Sequence, residues 1–239
     1  MTTIHRADYQ DYQRIKMKSG PRLGPRALFV LLFPLLLLYP SRSFSSNTGT
    51  WFSYSMSGAF NQRWSLVGDY QLRYYSPFND LQQVLLRTFG QYSFNEHLSL
   101  GIGYAYVLNG TPGKQDVPLV VENRPSQQLI FRWNKARWRT QLRARIEERF
   151  IGSASPSFRA RIFTGALWRI SKESDWAVAG TEELFWYPDG MRFDQNRSFI
   201  GLSYRFNDHF RLESGALVIL KKSEIRQELF TQLVHTFNW

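Results

Sequence analysis

From Arg137 to Phe150 polar and apolar side chains alternate without a break. Arg137, Arg139, Gln141, Arg143, Arg145, Glu147 and Arg149 share one parity, and Trp138, Thr140, Leu142, Ala144, Ile146 and Phe150 share the other. In a pleated strand those parities are opposite faces. Strands in soluble sheets usually run about five or six residues and seldom carry a dense arginine row. A sheet with water on one face and lipid on the other accounts for both features, which is the condition of a membrane β-barrel.

The same two-residue beat recurs along the chain from Gly49 onward, with no helical periodicity. Eleven alternating segments are predicted, at 49–60, 64–75, 81–94, 97–109, 126–134, 137–150, 157–170, 176–187, 194–206, 209–221 and 227–239. Their length suits tilted spans of about 9 to 11 residues with extensions. The connections 61–63, 95–96, 135–136, 171–175 and 207–208 read as tight. Those at 76–80, 110–123, 152–156, 188–193 and 222–226 read as generally longer, the asymmetry of an outer-membrane barrel. Gly110 to Asn123, with Pro112, Gly113 and Pro118, is the longest and the best candidate for a surface or lumen-folded loop.

The outward set includes Trp64, Leu66, Tyr70, Leu72 and Tyr74, then Leu98, Leu100, Ile102, Tyr104 and Tyr106, then Phe158, Ile162 and Trp168. Aromatic residues near the segment ends match interfacial girdles. A lipocalin-like soluble barrel would invert the pattern and leave those rings of Trp and Tyr unexplained. The expected architecture is therefore all-β, an antiparallel up-and-down transmembrane barrel of about 10–12 strands. Bacterial barrels favour even numbers, so either the first segment stands outside the barrel or a twelfth is hidden.

The apolar run Ala27 to Tyr39, broken by Pro34, is too short for a spanning helix of about 20 residues. Arg22 and Arg26 precede it, and Ser43 and Ser45 follow, so residues 1–45 read as a leader with a signal peptide and 46–239 as the exported barrel. Met17-Lys18 would open a more ordinary basic segment, and translation is expected to start there. An amphipathic targeting peptide fits the continuous apolar run less well.

The formal charge is +11. Residues 1–45 hold seven Lys or Arg against two Asp, so the mature part carries +6. With the basic residues on strand faces of an exported chain, nucleic acid is not an expected partner. The absence of cysteine excludes disulfides, thiolate metal sites and a lipidated N-terminal Cys.

The chain closes on Leu233-Val234-His235-Thr236-Phe237-Asn238-Trp239, which resembles the terminal signal read by barrel-insertion machinery, with Phe237 and Trp239 its aromatic positions. Deleting Trp239 is expected to lower membrane levels of the protein.

Three further blocks are similar to domain of unknown function 2490, an uncharacterised family of bacterial outer-membrane proteins. They are Glu122-Asn123-Arg124-Pro125-Ser126-Gln127-Gln128, Leu142 to Phe150, and Glu183-Leu184-Phe185 followed by Phe193-Asp194-Gln195-Asn196-Arg197. Glu122, Arg124, Gln128, Asp194 and Asn196 are the matching motif positions. The resemblance implies a barrel in the outer membrane of a Gram-negative bacterium, with membrane lipids and insertion machinery as partners, and supplies no activity.

Face assignment sends Arg73, Arg87, Arg132, Arg137, Arg139, Arg143, Arg145, Arg149, Arg159, Arg161, Arg169, Arg197, Arg205 and Arg211 into the lumen, against Asp69, Glu147, Glu183 and Glu213. Guanidinium groups stay charged and present a planar fork to carboxylate or phosphate, so a narrow pore would prefer small anions. Twelve strands would give a cylinder roughly 24 Å across, in which facing arginines nearly meet. A hydrogen-bonded ladder that fills the barrel is the competing expectation. Glu147-Glu148 and Glu182-Glu183 each send one carboxylate outward unless a bulge near Gly180 to Glu183 turns both in.

Catalytic chemistry is not expected, and no cofactor is. His5 lies in the leader, His97 and His209 in tight turns, and His235 near the periplasmic end, where it reads as a packing residue rather than the base of a lipid-modifying barrel enzyme. Asp189, Asp194 and Glu182 lack calcium-loop spacing. Asp194 and Asn196, near Arg197, are expected to organise their loop by hydrogen bonds. A surface-interaction or assembly role through 110–123 is a further alternative, and the oligomeric state is open.

Overall fold

The computed structural model describes residues 48–114 and 116–238. The expected leader, its alternative start at Met17, His5 and the terminal Trp239 lie outside the described residues.

Eleven strands form a closed barrel: β1 Thr48–Ala59, β2 Trp64–Ser76, β3 Asn79–Ser93, β4 Leu98–Asn109, β5 Val120–Lys135, β6 Trp138–Ile151, β7 Ser157–Arg169, β8 Trp176–Tyr187, β9 Arg192–Arg205, β10 Phe210–Lys221 and β11 Ile225–Asn238. Each pairs antiparallel with its sequence neighbours. The barrel shuts where β1 meets β11 in parallel, from Thr48 opposite Gln227 to Ala59 opposite Asn238. The eleven segments read from the sequence are thus all barrel strands, with neither a first segment outside the barrel nor a hidden twelfth among the described residues. β1 is hydrogen-bonded along its length to both β2 and β11, and a parallel seam lets an odd number close without an orphan edge. Eleven tilted strands imply a backbone cylinder roughly 22 Å across.

Local chemistry sets three of the turns. Asn61, Asn95 and Asn207, each following a phenylalanine, accept the backbone N–H groups two and three residues on: Arg63 and Trp64, His97 and Leu98, His209 and Phe210, all at 2.8–2.9 Å. These Asx turns hold the strands in register at one end of the barrel. At the other end the connections are less uniformly long than the sequence suggests. Pro77-Phe78 alone joins β2 to β3, with Phe78 at φ 60° and its ring 5.7 Å from that of Phe52.

The long loop is also shorter than predicted, spanning 110–119, because β5 begins six residues before its expected start. Pro125 lies within β5, where the β5–β6 ladder skips from Asn123 opposite Phe150 to Ser126 opposite Glu147. No amide is needed there, which is where a sheet admits proline.

Alternation carries through to the two faces. Leu72, Leu86, Ile102, Phe131, Leu142, Ile146, Ile162 and Ile200 point outward and are exposed. The inner face combines the arginines with apolar groups that sequence reading did not place there. Trp51, Ala179, Phe199, Leu217 and Ile219 form one buried cluster joined by Phe230, and Leu85, Ala105 and Val107 form another. Gly103 leaves room for the Phe89 ring, which an added Cβ would strike.

The bulge lies between Phe185 and Trp186 against β9, not near Gly180, and the β7–β8 register is regular through Thr164 opposite Glu182. Glu182 therefore faces outward, where it accepts a hydrogen bond from Asn196. Ser198 donates to Asn196 in turn, at 3.2 Å.

Candidate functional site

On β5 to β8 the inner face is a lattice of guanidinium and carboxylate groups. Strand parity places Glu122, Arg124, Ser126 and Gln128 of β5 beside Arg143, Arg145, Glu147 and Arg149 of β6, with Arg159 and Arg161 of β7 next in line. Glu147, with no solvent exposure, is the hub. Arg159 donates to its Oε2 through Nη2 at 2.6 Å and Nε at 2.9 Å, and Arg161 donates to Oε1. Arg145 and Arg124 stand 3.8 and 3.9 Å away. A buried carboxylate is tolerated when its lone pairs are met in this way.

Two more carboxylates extend the lattice. Glu183 on β8 accepts from Arg161 at 2.7 Å and from Arg143 at 2.8 Å, so Arg161 bridges Glu147 and Glu183. Glu122 is held by Arg124 at 2.9 Å and by a fork from Arg149 at 2.6 and 3.1 Å, whose Nη1 also reaches the Tyr187 hydroxyl. Arg145 donates twice to Gln128 Oε1, at 2.6 and 3.1 Å, and lies 4.7 Å over the Phe89 ring, a chord from β6 to β3. Smaller satellites finish the wall. Arg87 pairs with Asp69, which also accepts from Gln71 and Ser53, and Arg132 reaches Ser99 and Gln91.

Among the motif positions, Glu122, Arg124 and Gln128 enter the lattice directly. Asp194 and Asn196 do not organise their loop, which corrects the sequence reading. Asp194 is the extra residue of the β8–β9 bulge and turns to Arg159 at 3.2 Å, while Asn196 serves Glu182 outside. The sequence blocks around 122–128, 142–150, 183–185 and 193–197, far apart in the chain, thus converge on one wall. A family model, described as a protein of unknown function (DUF2490), matches residues 48–228. The chain belongs to the DUF2490 family. Neither the comparison with curated proteins nor that with solved structures gives a match.

The remaining lumen assignments of this DUF2490 barrel divide by height. Arg205 is drawn to Asp175 at 2.9 Å at the Asx-turn end. Arg137 belongs to a turn, donating to the Ile170 carbonyl and lying 4.9 Å over the outer Trp168 ring, so it leaves the lumen set; Arg169 donates to the Lys172 and Ala136 carbonyls at the same rim. Arg139 is exposed there too. Arg211 pairs with Glu213 at 3.0 Å.

Sequence reasoning named Glu122 as a motif position but assigned it to a loop rather than to the lumen, and it missed Glu228, fully buried on β11. The pattern Glu122-x-Arg124-x-Ser126-x-Gln128 carries the signal for the first, and Arg226-x-Glu228 for the second. His235 lies with its Nδ1 2.8 Å from the Tyr54 hydroxyl and its ring stacked 4.3 Å from Phe210. Beside it on β11 the Phe237 ring meets the imidazole edge to face at 4.7 Å. Among the described residues no group of three His, Cys, Asp or Glu side chains is placed to hold a metal ion.

Proposed function

We infer that this DUF2490 member is a non-catalytic outer-membrane barrel whose lumen is closed by its own charge lattice, with the loop 110–119 at the cell surface and the Asx turns in the periplasm. The observation that carries the reading is Glu147, which has no exposure although it lines the interior of a closed barrel. A bore wide enough for solute would wet that carboxylate. The outward aromatic and aliphatic wall supports a lipid setting, and the packing of His235 between Tyr54, Phe210 and Phe237 supports a structural role for that histidine.

Reconstitution into planar bilayers tests the closed lumen. The native protein is expected to give no steady current, and a large ohmic conductance would sink the reading. Membrane fractionation tests the setting: the processed chain belongs with the outer membrane, and recovery as a freely soluble protein would overturn it.

A narrow anion-preferring conduit is the second reading. The excess of guanidinium groups over carboxylates favours it, above all Arg197, whose guanidinium lies over Trp51 and Phe185 with its Nε buried and without an acceptor. Any residual current should then reverse toward the anion potential under a salt gradient. A cation-selective reversal would exclude this reading.

A further inference from the structure

Three inward guanidinium groups border the lattice, Arg197 standing opposite Glu183 in the β8–β9 register and Arg73 donating to Gln71. Arg73 of β2 lies 3.5 Å over one side of the Trp51 indole, and Arg197 of β9 lies 5.0 Å from the same ring. Arg226 of β11 lies 4.9 Å over Tyr75. Between them is Glu228, whose Oε1 is 3.4 Å from Arg226 Nη2. Along β1, Gly49 stands opposite Glu228 and Trp51, two residues on, opposite Arg73, so the four charges form one neighbourhood.

Unmet hydrogen bonding is concentrated in this group, although Arg143 Nε and Arg145 Nη1 of the lattice are also buried without an acceptor. Every lattice carboxylate accepts bonds, but neither oxygen of Glu228 accepts any. The Nε atoms of Arg73, Arg197 and Arg226, Arg226 Nη2 and Trp51 Nε1 are likewise buried without an acceptor. Arg73 and Arg226 are more than nine-tenths buried, and Glu228 is wholly so. Buried charged groups whose hydrogen bonds are incomplete are expensive. Glu224 lies 3.9 Å from Arg226 Nε but is itself taken up by Lys221 at 3.0 Å, so the three guanidinium groups around Glu228 keep a positive surplus, and the vacant positions are mostly donors. The missing component is therefore an anion with several acceptor oxygens. Guanidinium forks converging from three strands suit a compact tetrahedral oxyanion better than chloride, which lacks directional lone pairs.

The backbone supports the arrangement. At Gly49, on β1, a Cβ would stand 3.0 Å from Arg226 Nη2 and 3.5 Å from Glu228 Oε1, so glycine lets this pair lie against the strand. Arg73 is near the end of β2, Trp51 near the start of β1 and Arg226 near the start of β11. All three belong to the half of the barrel that carries the loop 110–119, and the ligand would enter from that mouth.

We propose that Arg73, Arg197 and Arg226 form a binding site for a small oxyanion of the phosphate class, with Trp51 Nε1 as a further donor and Glu228 as the built-in competitor that limits affinity. The site rests on the arginine-lined interior of the proposed function. It does not require conduction, so a conducting native barrel would remove the closed-lumen reading and leave this one standing.

The test is calorimetric titration of the full refolded barrel with inorganic phosphate at constant ionic strength, with chloride as the comparison. Saturable phosphate binding that chloride does not reproduce is expected. R197Q and R226Q should each weaken it about tenfold or more, the value of a lost charge-assisted hydrogen bond, while R205Q at the far rim should leave it unchanged. E228Q should tighten binding, because it removes the internal carboxylate that competes for the same donors. That opposite sign cannot arise from general damage to the fold. A phosphate response equal to that of chloride would overturn the proposal, as would weaker binding in E228Q or an unchanged affinity in R197Q.

Discussion

The β5–β8 wall and the β9–β11–β1 wall solve the same packing problem differently. The first fills its share of the interior with ions, each carboxylate bound by arginines from its own strand or from one or two strands away. The second fills it with Trp51, Phe199, Leu217, Ile219 and Phe230, the Phe230 ring meeting Trp51 and Phe199 edge to face at 5.5 and 5.1 Å. The difference lies in tolerance. An ionic wall is stable only as a complete set, since removing one member strands the others, whereas an apolar wall loses area and packing in proportion to what is cut. The cluster of Arg73, Arg197 and Arg226 lies where the two solutions meet.

That contrast can be broken most severely at the hub. E147A leaves Arg159 buried with only Asp194 and Arg161 with only Glu183 as acceptor, and should destabilise the barrel by about 3 kcal/mol, read by urea unfolding from lipid vesicles. F199A, in the aromatic wall, should lose about 3 kcal/mol through a cavity. Its loss should be the same in low and high salt, and a salt-dependent loss would show that the wall is not held as an apolar core. R149K keeps the charge but gives up the fork to Glu122, for a loss of about 1–2 kcal/mol; an unchanged unfolding midpoint would argue that the fork contributes only charge. The smallest effect is expected on the outer wall. E182L should stabilise the lipid-embedded protein by about 1 kcal/mol, since it removes a carboxylate from the proposed hydrocarbon face. Destabilisation in lipid would mean that Glu182 has a role there beyond its bond to Asn196.

Much of the fold could be read from side-chain parity because that pattern is local. Trp138 to Phe150 alternates whatever its neighbours are, and the segment count of eleven follows from the same rule applied along the chain. The seam between β1 and β11 could not be read this way. It joins residues about as far apart in sequence as the chain allows, and nothing in Trp51 or Phe230 announces a parallel partner. The site was half visible. Arg143, Arg145, Glu147, Arg159 and Arg161 were placed inside by parity, but Glu122 was assigned to the 110–123 loop, and β5 reaches back to include it by admitting Pro125 at a skip on its β6 side. Asp194 was misassigned because a bulge changes parity by one residue.

The amino-acid order by itself determined that the described chain is a succession of long two-faced strands, and which residues share a face, because pleating obliges neighbours to diverge. Only the closed tertiary structure decided who meets whom inside: that Arg161 joins Glu147 to Glu183, that Trp51 lies between two guanidinium groups, and that Glu228 is buried without a hydrogen-bond donor. Those outcomes depend on strand number, register and curvature, which bring side chains together across a cylinder and are properties of the whole ring rather than of any one strand.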